Sequence, residues 1–200
     1  MYCRNQAASS AFGNFVHAEG DYFHDVDSPS SNLREVRRRR LDSSAGREWA
    51  TIEKEYKKRN VIDGPMHYPT HSTSGPISIM NAHATKVSAL AYSEPHPDEF
   101  FGDTPSCETA LFRMSNGASC TIREYRTIGH QNSETFRIFG TKGSFRDGVW
   151  CDKENESPMT KEDMRDPLPV DVAKAFADGG NSDFDGGHGG SHAYLVHEFV

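Results

Sequence analysis

Two histidines four residues apart are the side chains in this sequence best suited to acid–base chemistry. His67 and His71 lie in a segment bent by prolines, residues 64–77, which reads Gly-Pro-Met-His-Tyr-Pro-Thr-His-Ser-Thr-Ser-Gly-Pro-Ile. A neutral imidazole can take up a proton near pH 7, and the same group as a cation can return it. The proline between the histidines disfavours helix before it, and the residues after it predict a short helix with its N-cap at Thr70 or Ser72. We therefore expect His71 at the mouth of a helix, where it can meet a substrate.

The paired histidines do not predict a metal site. On a regular helix, two histidines four residues apart form a zinc clamp, but Pro69 breaks that geometry between His67 and His71. A second pair, His188 and His192, lies in a glycine-rich loop, and neither pair has the glutamate of a His-Glu-x-x-His motif. We expect no bound metal, and we expect His188 either to contact substrate or to cap the last helix.

The first segment of the chain that could support this site alternates in the manner of a β-strand. Residues 14–24 alternate between two faces, and Glu19 and Tyr22 lie near the end of the predicted strand. Both are therefore candidates to line the pocket of His71. Further strands are predicted at 86–92, 108–114, 118–126, 133–139 and 144–150.

Tight turns predict how these strands run. Asn116-Gly117 is a strong hairpin signal, and the residues from Gly140 to Gly143 form another turn. Four or five strands joined in this way give a mainly antiparallel sheet. Residues 28–60 are interpreted as a loop with short helical pieces, and residues 152–186 as a loop of low order. We predict an α+β fold, an open, mainly antiparallel β-sheet with helices packed on one face.

The composition excludes several classes of partner. The chain of 200 residues suits one domain, and its net charge of −7 disfavours nucleic acid, because binding phosphates requires clustered Lys and Arg. No stretch has the apolar length of a membrane span. The four cysteines lack close spacing, which indicates free thiols in a reducing compartment, so we expect a cytoplasmic protein. Residues 193–200 begin a helix without a terminator, and we expect a fragment truncated at both ends.

Four strings of residues, taken together, resemble a known family. They are Ala18-Glu-Gly-Asp-Tyr-Phe-His-Asp25, Gly64-Pro-Met-His-Tyr-Pro-Thr-His71, Phe136-Arg-Ile-Phe-Gly-Thr-Lys-Gly-Ser144 and Gly-His-Gly-Gly-Ser-His192. In order and spacing they resemble the C-terminal domain of the Gfo/Idh/MocA oxidoreductases, over nearly the whole chain. The resemblance implies that residues 1–200 are a substrate-binding and oligomerisation domain, with a homo-oligomer formed through the open sheet face.

The resemblance also implies a cofactor and a catalytic residue. The family joins this domain to an N-terminal Rossmann domain that binds NAD or NADP. The glycine-rich stretch 186–190 does not fit Gly-x-Gly-x-x-Gly, and no Glu-Lys-Pro is present. We therefore expect the chain alone to bind the cofactor weakly or not at all, and to be inactive without its cofactor domain. His71 matches the catalytic histidine of the family, and His67 stands where the family commonly has an aspartate. The candidate substrate contacts are Tyr68, Thr70, His67, Glu19, Tyr22 and His188.

The expected reaction is the oxidation of a CH–OH group of a sugar or polyol. Hydride leaves the carbinol carbon for the nicotinamide, while His71 takes the hydroxyl proton directly or as a relay. Two alternatives stay open. Tyr68-Pro-Thr-His71 is also similar to the segment that carries the catalytic Tyr and His of NAD-dependent glycosidases of the same superfamily. The third interpretation is a non-catalytic module that dimerises through its open sheet face.

Overall fold

The structure is a computed structural model that describes most of the chain. The described residues are 1–29, 31–59, 66, 68–96, 98–102, 104–130 and 132–178. His67 and His188, both predicted substrate contacts, lie outside the described residues, as does the glycine-rich stretch 186–190.

The chain divides into two compact units. One unit is Cys3–Pro158, and the other contains Met1–Tyr2 and the residues from Met159 onward. The second unit includes a hydrogen bond that the Tyr2 N–H donates to the Met164 carbonyl at 3.2 Å. All residues of the candidate site discussed below belong to the first unit.

The first unit is built on one eight-stranded sheet. Its strands are β1 Phe15–Phe23, β2 Ala84–Tyr92, β3 Cys107–Met114, β4 Ser119–Tyr125, β5 Ser133–Gly140, β6 Gly143–Arg146, β7 Val149–Asp152 and β8 Glu156–Pro158. Their order in the sheet is β2-β3-β4-β1-β5-β6-β7-β8. The pair β1 and β4 is parallel, with Gly20 opposite Ile122, and the other described pairs are antiparallel. The predicted fold class is therefore confirmed, although the sheet has eight strands and the sequence predicted six.

The two additional strands come from a turn within a predicted strand and from a short strand within a predicted loop. The predicted strand 144–150 is in fact β6 and β7, which are joined by Asp147 and Gly148 with φ of 51° and 79°. Two residues in the left-handed region form the kind of tight turn that joins a hairpin. The short strand β8 lies within residues 152–186, where we expected a loop.

The other regular elements of the described residues are five helices. They are α1 Tyr2–Ala8, α2 Leu33–Asp42, α3 Ser44–Lys58, α4 Pro69–Met80 and α5 Val170–Asp178. Helices α2 and α3 occupy most of residues 28–60, where we expected only short helical pieces. Ser43 separates them, and its side chain accepts a hydrogen bond from the Gly46 N–H at 3.0 Å, which caps the start of α3. Among the described residues, no helix is long and apolar enough to cross a membrane.

Helix α4 packs on the sheet at a point where neither element carries a bulky side chain. A Cβ atom added to Gly20 of β1 would lie 1.8 Å from the carbonyl oxygen of Ser72. Pro76 has no N–H, so it cannot donate the usual helical hydrogen bond to that same carbonyl. A Cβ on Gly75 of α4 would likewise lie 2.9 Å from the Phe136 ring on β5. The helix backbone therefore lies almost directly against the strands.

The close contact divides the sheet into two faces. Residues of β1 that share a face with Gly20 point towards α4, and the residues between them point to the opposite, open face. The helix-covered face carries the core, including the buried residues Ala18, Ile122, Ile138 and Phe145. The open face carries charged and hydroxyl side chains near its centre.

Candidate functional site

His71 is positioned by the first turn of α4. Tyr68 is the N-cap residue and Pro69 is the first helical residue, so the predicted N-cap at Thr70 or Ser72 is wrong. Proline is favoured at the first helical position because its φ suits a helix and no N–H is required there. The helix thus begins earlier than predicted, and His71 lies within its first turn.

The His71 imidazole is held between aromatic rings and remains accessible. Its ring centroid lies 4.7 Å from that of Tyr22 and 5.6 Å from that of Tyr68. Its side chain is 32% exposed, and Nε2 lies 3.9 Å from Oε1 of Glu134 on β5. A ring fixed on two sides, open on another and close to a carboxylate can exchange a proton with a bound ligand.

Tyr22 lies beneath His71 and is joined to a second histidine. Its hydroxyl lies 2.7 Å from Nδ1 of His24. Burial raises the pKa of Tyr22 to about 12, with the positive charge of Arg126 opposing that shift. Burial also lowers the pKa of His24 below its ordinary value, and the Arg126 charge acts in the same direction. Burial therefore favours the uncharged forms of both the phenol and the imidazole, and the two groups are joined by this hydrogen bond.

Glu124, on strand β4 of the sheet, holds the start of α4. Its buried carboxylate accepts the N–H of Tyr68, with N···O distances of 2.9 and 3.2 Å. A negative charge at the first turn of a helix is stabilised by the helix dipole. Glu124 therefore holds the residue whose ring packs against His71.

Arg126 connects the two tyrosines. Its guanidinium carbon lies 5.2 Å from the centroid of the Tyr22 ring and 4.8 Å from that of the Tyr68 ring. Its Nε donates to the His24 carbonyl at 3.1 Å, and its Nη1 lies 3.8 Å from Oε1 of Glu124. This fully buried cation is stacked against both rings that support His71.

A second buried carboxylate completes the cluster. Glu108 on β3 pairs in register with Glu124 on β4. Burial raises the pKa of Glu108 to about 8, the neighbouring charge of Glu124 adds to the shift, and Arg126 opposes it. Glu108 is therefore largely protonated at neutral pH, which leaves Glu124 and Arg126 as a balanced pair.

The cluster is short of hydrogen bonds. Within the described part of the chain, neither oxygen of Glu108 and neither terminal nitrogen of Arg126 has a hydrogen-bonding partner. Buried polar groups usually find partners, and an exception of this kind in a titratable cluster is more common at functional sites than elsewhere.

The structure brings together only some of the predicted site residues. Tyr22 and Tyr68 contact His71, although Tyr22 is only 4% exposed and offers little surface to a ligand. Thr70 is exposed in the first turn of α4. Glu19 lies on the open face of the sheet, where its carboxylate bonds Arg137 at 2.7 Å. The expectation that Glu19 lines the His71 pocket is therefore corrected, and strand alternation alone separates it from Tyr22.

The carboxylate beside His71 and the polar groups behind Tyr22 and Tyr68 were not predicted from the sequence. They are His24, Glu108, Glu124, Arg126 and Glu134. Alternation along the fourth strand was a usable signal, because it puts Glu124 on the same face as the buried Ile122. Which strand lies beside which was not readable from local patterns.

Comparison of the sequence with known proteins gives no relative. No protein-family model matches it, and a search of curated proteins finds no similar sequence.

Comparison of the structure finds oxidoreductases. An inositol dehydrogenase homologue from Azotobacter vinelandii, complexed with NAD+, matches with a TM-score of 0.54 and 13% identity, over 78% of this chain and 39% of that one. An oxidoreductase from Sinorhizobium meliloti matches with a TM-score of 0.52 and 14% identity, over 80% of this chain and 39% of that one. An oxidoreductase from Pseudomonas syringae matches with a TM-score of 0.50 and 11% identity, over 80% of this chain and 37% of that one. The chain spans about two fifths of the length of these proteins.

These matches agree with the resemblance found in the sequence. The fold of the chain is similar to that of about two fifths of these oxidoreductases. At these identities the likeness concerns the fold, and the chemistry has to be argued from the site itself.

Proposed function

We propose that this chain is the substrate-binding domain of a nicotinamide-dependent oxidoreductase that acts on sugars or polyols. The observation that carries the proposal is the placement of His71 in the first turn of α4, partly exposed and supported by Tyr22 and Tyr68. The buried pair Glu124 and Arg126 fixes both tyrosines from below. The shared fold with an inositol dehydrogenase homologue is in keeping with a polyhydroxylated substrate.

In this proposal His71 acts as the general base. Its neutral imidazole takes the proton of the substrate hydroxyl as hydride leaves the carbinol carbon, and it returns the proton in the reverse direction. The Glu134 carboxylate, 3.9 Å from Nε2, orients the ring and stabilises the imidazolium that forms. Tyr68, 38% exposed, and Thr70 offer hydroxyl groups that can orient substrate hydroxyls.

The residues of this chain do not fit a dinucleotide. The sequence contains no Gly-x-Gly-x-x-Gly, the turn whose backbone N–H groups hold a pyrophosphate. We propose that NAD or NADP, which accepts the hydride when bound, is held mainly by a separate domain. This chain would bind and orient the substrate and move its proton.

A substitution in the intact enzyme tests the assignment. His71→Ala should lower kcat by about two to four orders of magnitude, the usual scale for a positioned acid or base. His83→Ala is the matched control, because His83 is an exposed histidine just before β2 and is outside the site. Turnover that is unchanged in His71→Ala would reject the proposed role.

A glycosidase is the second candidate, and the contact between Tyr68 and His71 favours it. The two rings meet edge to face with centroids 5.6 Å apart, so both groups could act on one sugar. An assay with NAD and aryl glycosides separates the two functions. Release of the aglycone without net NADH indicates the hydrolase, and stoichiometric NADH indicates the dehydrogenase.

We also propose a homo-oligomer formed through the open face of the sheet. Leu90, Tyr92 and Leu111 lie together on that face and are 83%, 52% and 52% exposed. An apolar group of this kind next to a charged centre is typical of an interface. Leu90→Glu should convert the oligomer into a monomer in light-scattering measurements, whereas Val87→Glu, on the other face of β2, should not. An oligomer that survives Leu90→Glu would exclude this interface.

A further inference from the structure

In the described part of the chain, a cleft beside the His71 site is lined by cations and by no acids. It lies between α2, α3 and the start of α4, has a volume of about 370 Å³, and is lined by Arg37, Arg40, Trp49, Tyr68 and Phe100 together with small and aliphatic side chains. None of the described residues that line it is Asp or Glu. The whole chain carries a net charge of −7, so a purely cationic cleft is a local departure from its composition. Clefts that carry one sign of charge concentrate ligands of the opposite sign.

The two lining arginines are those of α2 that form no ion pair with a carboxylate of the described residues. Helix α2 carries five arginines, and three of them pair with acids within the described structure. Arg34 pairs with Asp27 and Asp98, Arg38 with Glu99, and Arg39 with Glu35. Among the described residues, neither Arg37 nor Arg40 forms an ion pair, and Nε of Arg37 is buried without an acceptor. Positions 37 and 40 are three apart and share one face of the helix, which is the face towards the cleft.

The rest of the lining suits a sugar ring. Trp49 and Tyr68 provide exposed aromatic rings, on which the C–H groups of a sugar can pack. Arg37 is fixed in place because its guanidinium carbon lies 5.1 Å from the centroid of the Phe100 ring. The volume is within the usual range for small-molecule sites.

Tyr68 joins the cleft to the proposed acid–base site. It lines the cleft, and its ring centroid lies 5.6 Å from that of His71. A ligand with its anionic group between Arg37 and Arg40 and its ring against Tyr68 would extend towards the imidazole.

We propose that this cleft binds the oxyanion of an acidic sugar, a carboxylate or a phosphate, and so selects acidic sugars as substrates of the His71 site. The selection of substrates rests on the function proposed above, whereas anion binding by the cleft does not. Guanidinium groups bind carboxylate and phosphate through paired N–H donors, which makes them suited to either oxyanion.

Calorimetric titration of the full chain tests the proposal with three defined probes. D-glucuronate carries a carboxylate, D-glucose 6-phosphate carries a phosphate, and D-glucose is neutral. We expect one or both acidic sugars to bind at least about tenfold more tightly than glucose, since charge-assisted hydrogen bonds are the strong ones. The tighter of the two acidic probes identifies the oxyanion.

The arginines of α2 supply a matched set of variants. Arg40→Gln should weaken binding of the acidic sugar about tenfold and leave glucose binding unchanged. Arg39→Gln should change neither, because Arg39 is exposed and faces Glu35. Arg37 also stacks on Phe100, so Arg37→Gln can lower stability as well as affinity. The melting temperature of this variant separates the two effects.

Several outcomes would overturn the proposal. Equal affinities for glucose and both acidic sugars would do so, and so would an Arg39→Gln effect as large as that of Arg40→Gln, which would indicate diffuse surface charge. Binding of NAD+ alone that is tighter than that of both acidic sugars and is lost in Arg40→Gln would make the cleft a cofactor site instead.

His71→Ala separates this proposal from the proposed function. If acidic sugars bind in an Arg40-dependent way but turnover of the intact enzyme does not need His71, the cleft stands and the acid–base role fails. If turnover needs His71 but neutral sugars serve as well as acidic ones and Arg40→Gln changes nothing, the acid–base role stands and the cleft proposal fails.

Discussion

The two faces of the sheet carry charged residues in opposite ways. On the open face, Asp21 is bonded to Arg123 at 2.6 and 3.0 Å and to Thr135 at 3.3 Å, so its carboxylate is well satisfied. On the helix-covered face, Glu108 has no hydrogen-bonding partner among the described residues although it is as deeply buried. The open face therefore carries a structural ion-pair network. The helix-covered face carries titratable groups that lack hydrogen-bonding partners among the described residues.

The difference shows where the fold has been arranged for chemistry rather than for stability. A satisfied buried carboxylate holds strands together, whereas a buried carboxylate with a raised pKa destabilises the folded state near neutral pH. The poorly satisfied cluster lies directly beneath the rings that support His71. Four substitutions test this contrast between the two faces, and we give them in order of decreasing effect.

The contact between β1 and α4 should be the most sensitive point of the helix-covered face. Gly20→Val places a side chain where even a Cβ would lie 1.8 Å from the Ser72 carbonyl oxygen, so backbone must move. We expect a loss of about 4 kcal/mol or more in the free energy of unfolding, measured by urea denaturation. Gly129→Val is the control, because a Cβ there has no neighbour within 4 Å. Equal stability of the two variants would show that α4 does not pack on Gly20.

Glu108 should make the stability of the protein depend on pH. Its pKa is raised from 4.5 to about 8, so the folded state holds a proton that the unfolded state releases between these values. Stability should therefore be full below about pH 4.5 and fall as the pH rises towards 8. Glu108→Gln removes the titration, so the variant should match the wild type near pH 4.5 and exceed its unfolding free energy by about 4 kcal/mol at pH 8.

Denaturation curves at pH 5, 7 and 8 check this prediction. Glu156→Gln is the control, since the Glu156 side chain is 67% exposed. A wild-type protein whose stability is flat over this range would contradict the raised pKa of Glu108.

The stability contributed by the open face of the sheet should depend on Asp21. Asp21→Asn leaves Arg123 without its closest carboxylate in a nearly buried position, and we expect a loss of about 2 kcal/mol in unfolding free energy. Asp147→Asn removes a carboxylate from the same network at a side chain that is 53% exposed, so its effect should be below about 1 kcal/mol. If the two variants lose the same amount of stability, burial is not what gives the network its strength.

The smallest effect is expected from the bond between Tyr22 and His24. Tyr22→Phe keeps the ring against His71 and removes only the hydroxyl that bonds His24, so it should cost about 1 kcal/mol of unfolding free energy. Tyr56→Phe is the control, because Tyr56 is 40% exposed and its ring contact with Arg59 is retained. A loss in Tyr22→Phe no larger than in Tyr56→Phe would mean that this bond contributes nothing to the fold.

Local patterns predicted the elements better than their arrangement. The alternation of residues 14–24 predicted β1, and the turns at Asn116-Gly117 and Gly140–Gly143 predicted hairpins that the structure contains. The strand break at Asp147-Gly148 and the two helices of residues 33–58 were missed, because charged sequences favour loops and surface helices alike. The parallel pairing of β1 with β4 was not predictable, since the paired residues are about a hundred positions apart in the chain.

The sequence by itself determined that a histidine would stand at the entry of a short helix, because proline and the residues after it act over a few neighbouring positions. Only the tertiary structure decided what that histidine meets. Glu134 lies beside it, Glu124 and Arg126 hold the neighbouring Tyr68, and all three are distant from it in the chain. Glu19 lies on the opposite face of the sheet. The reason is that strand order and facing follow from burying the apolar side of the whole sheet under α4, and no single segment contains that information.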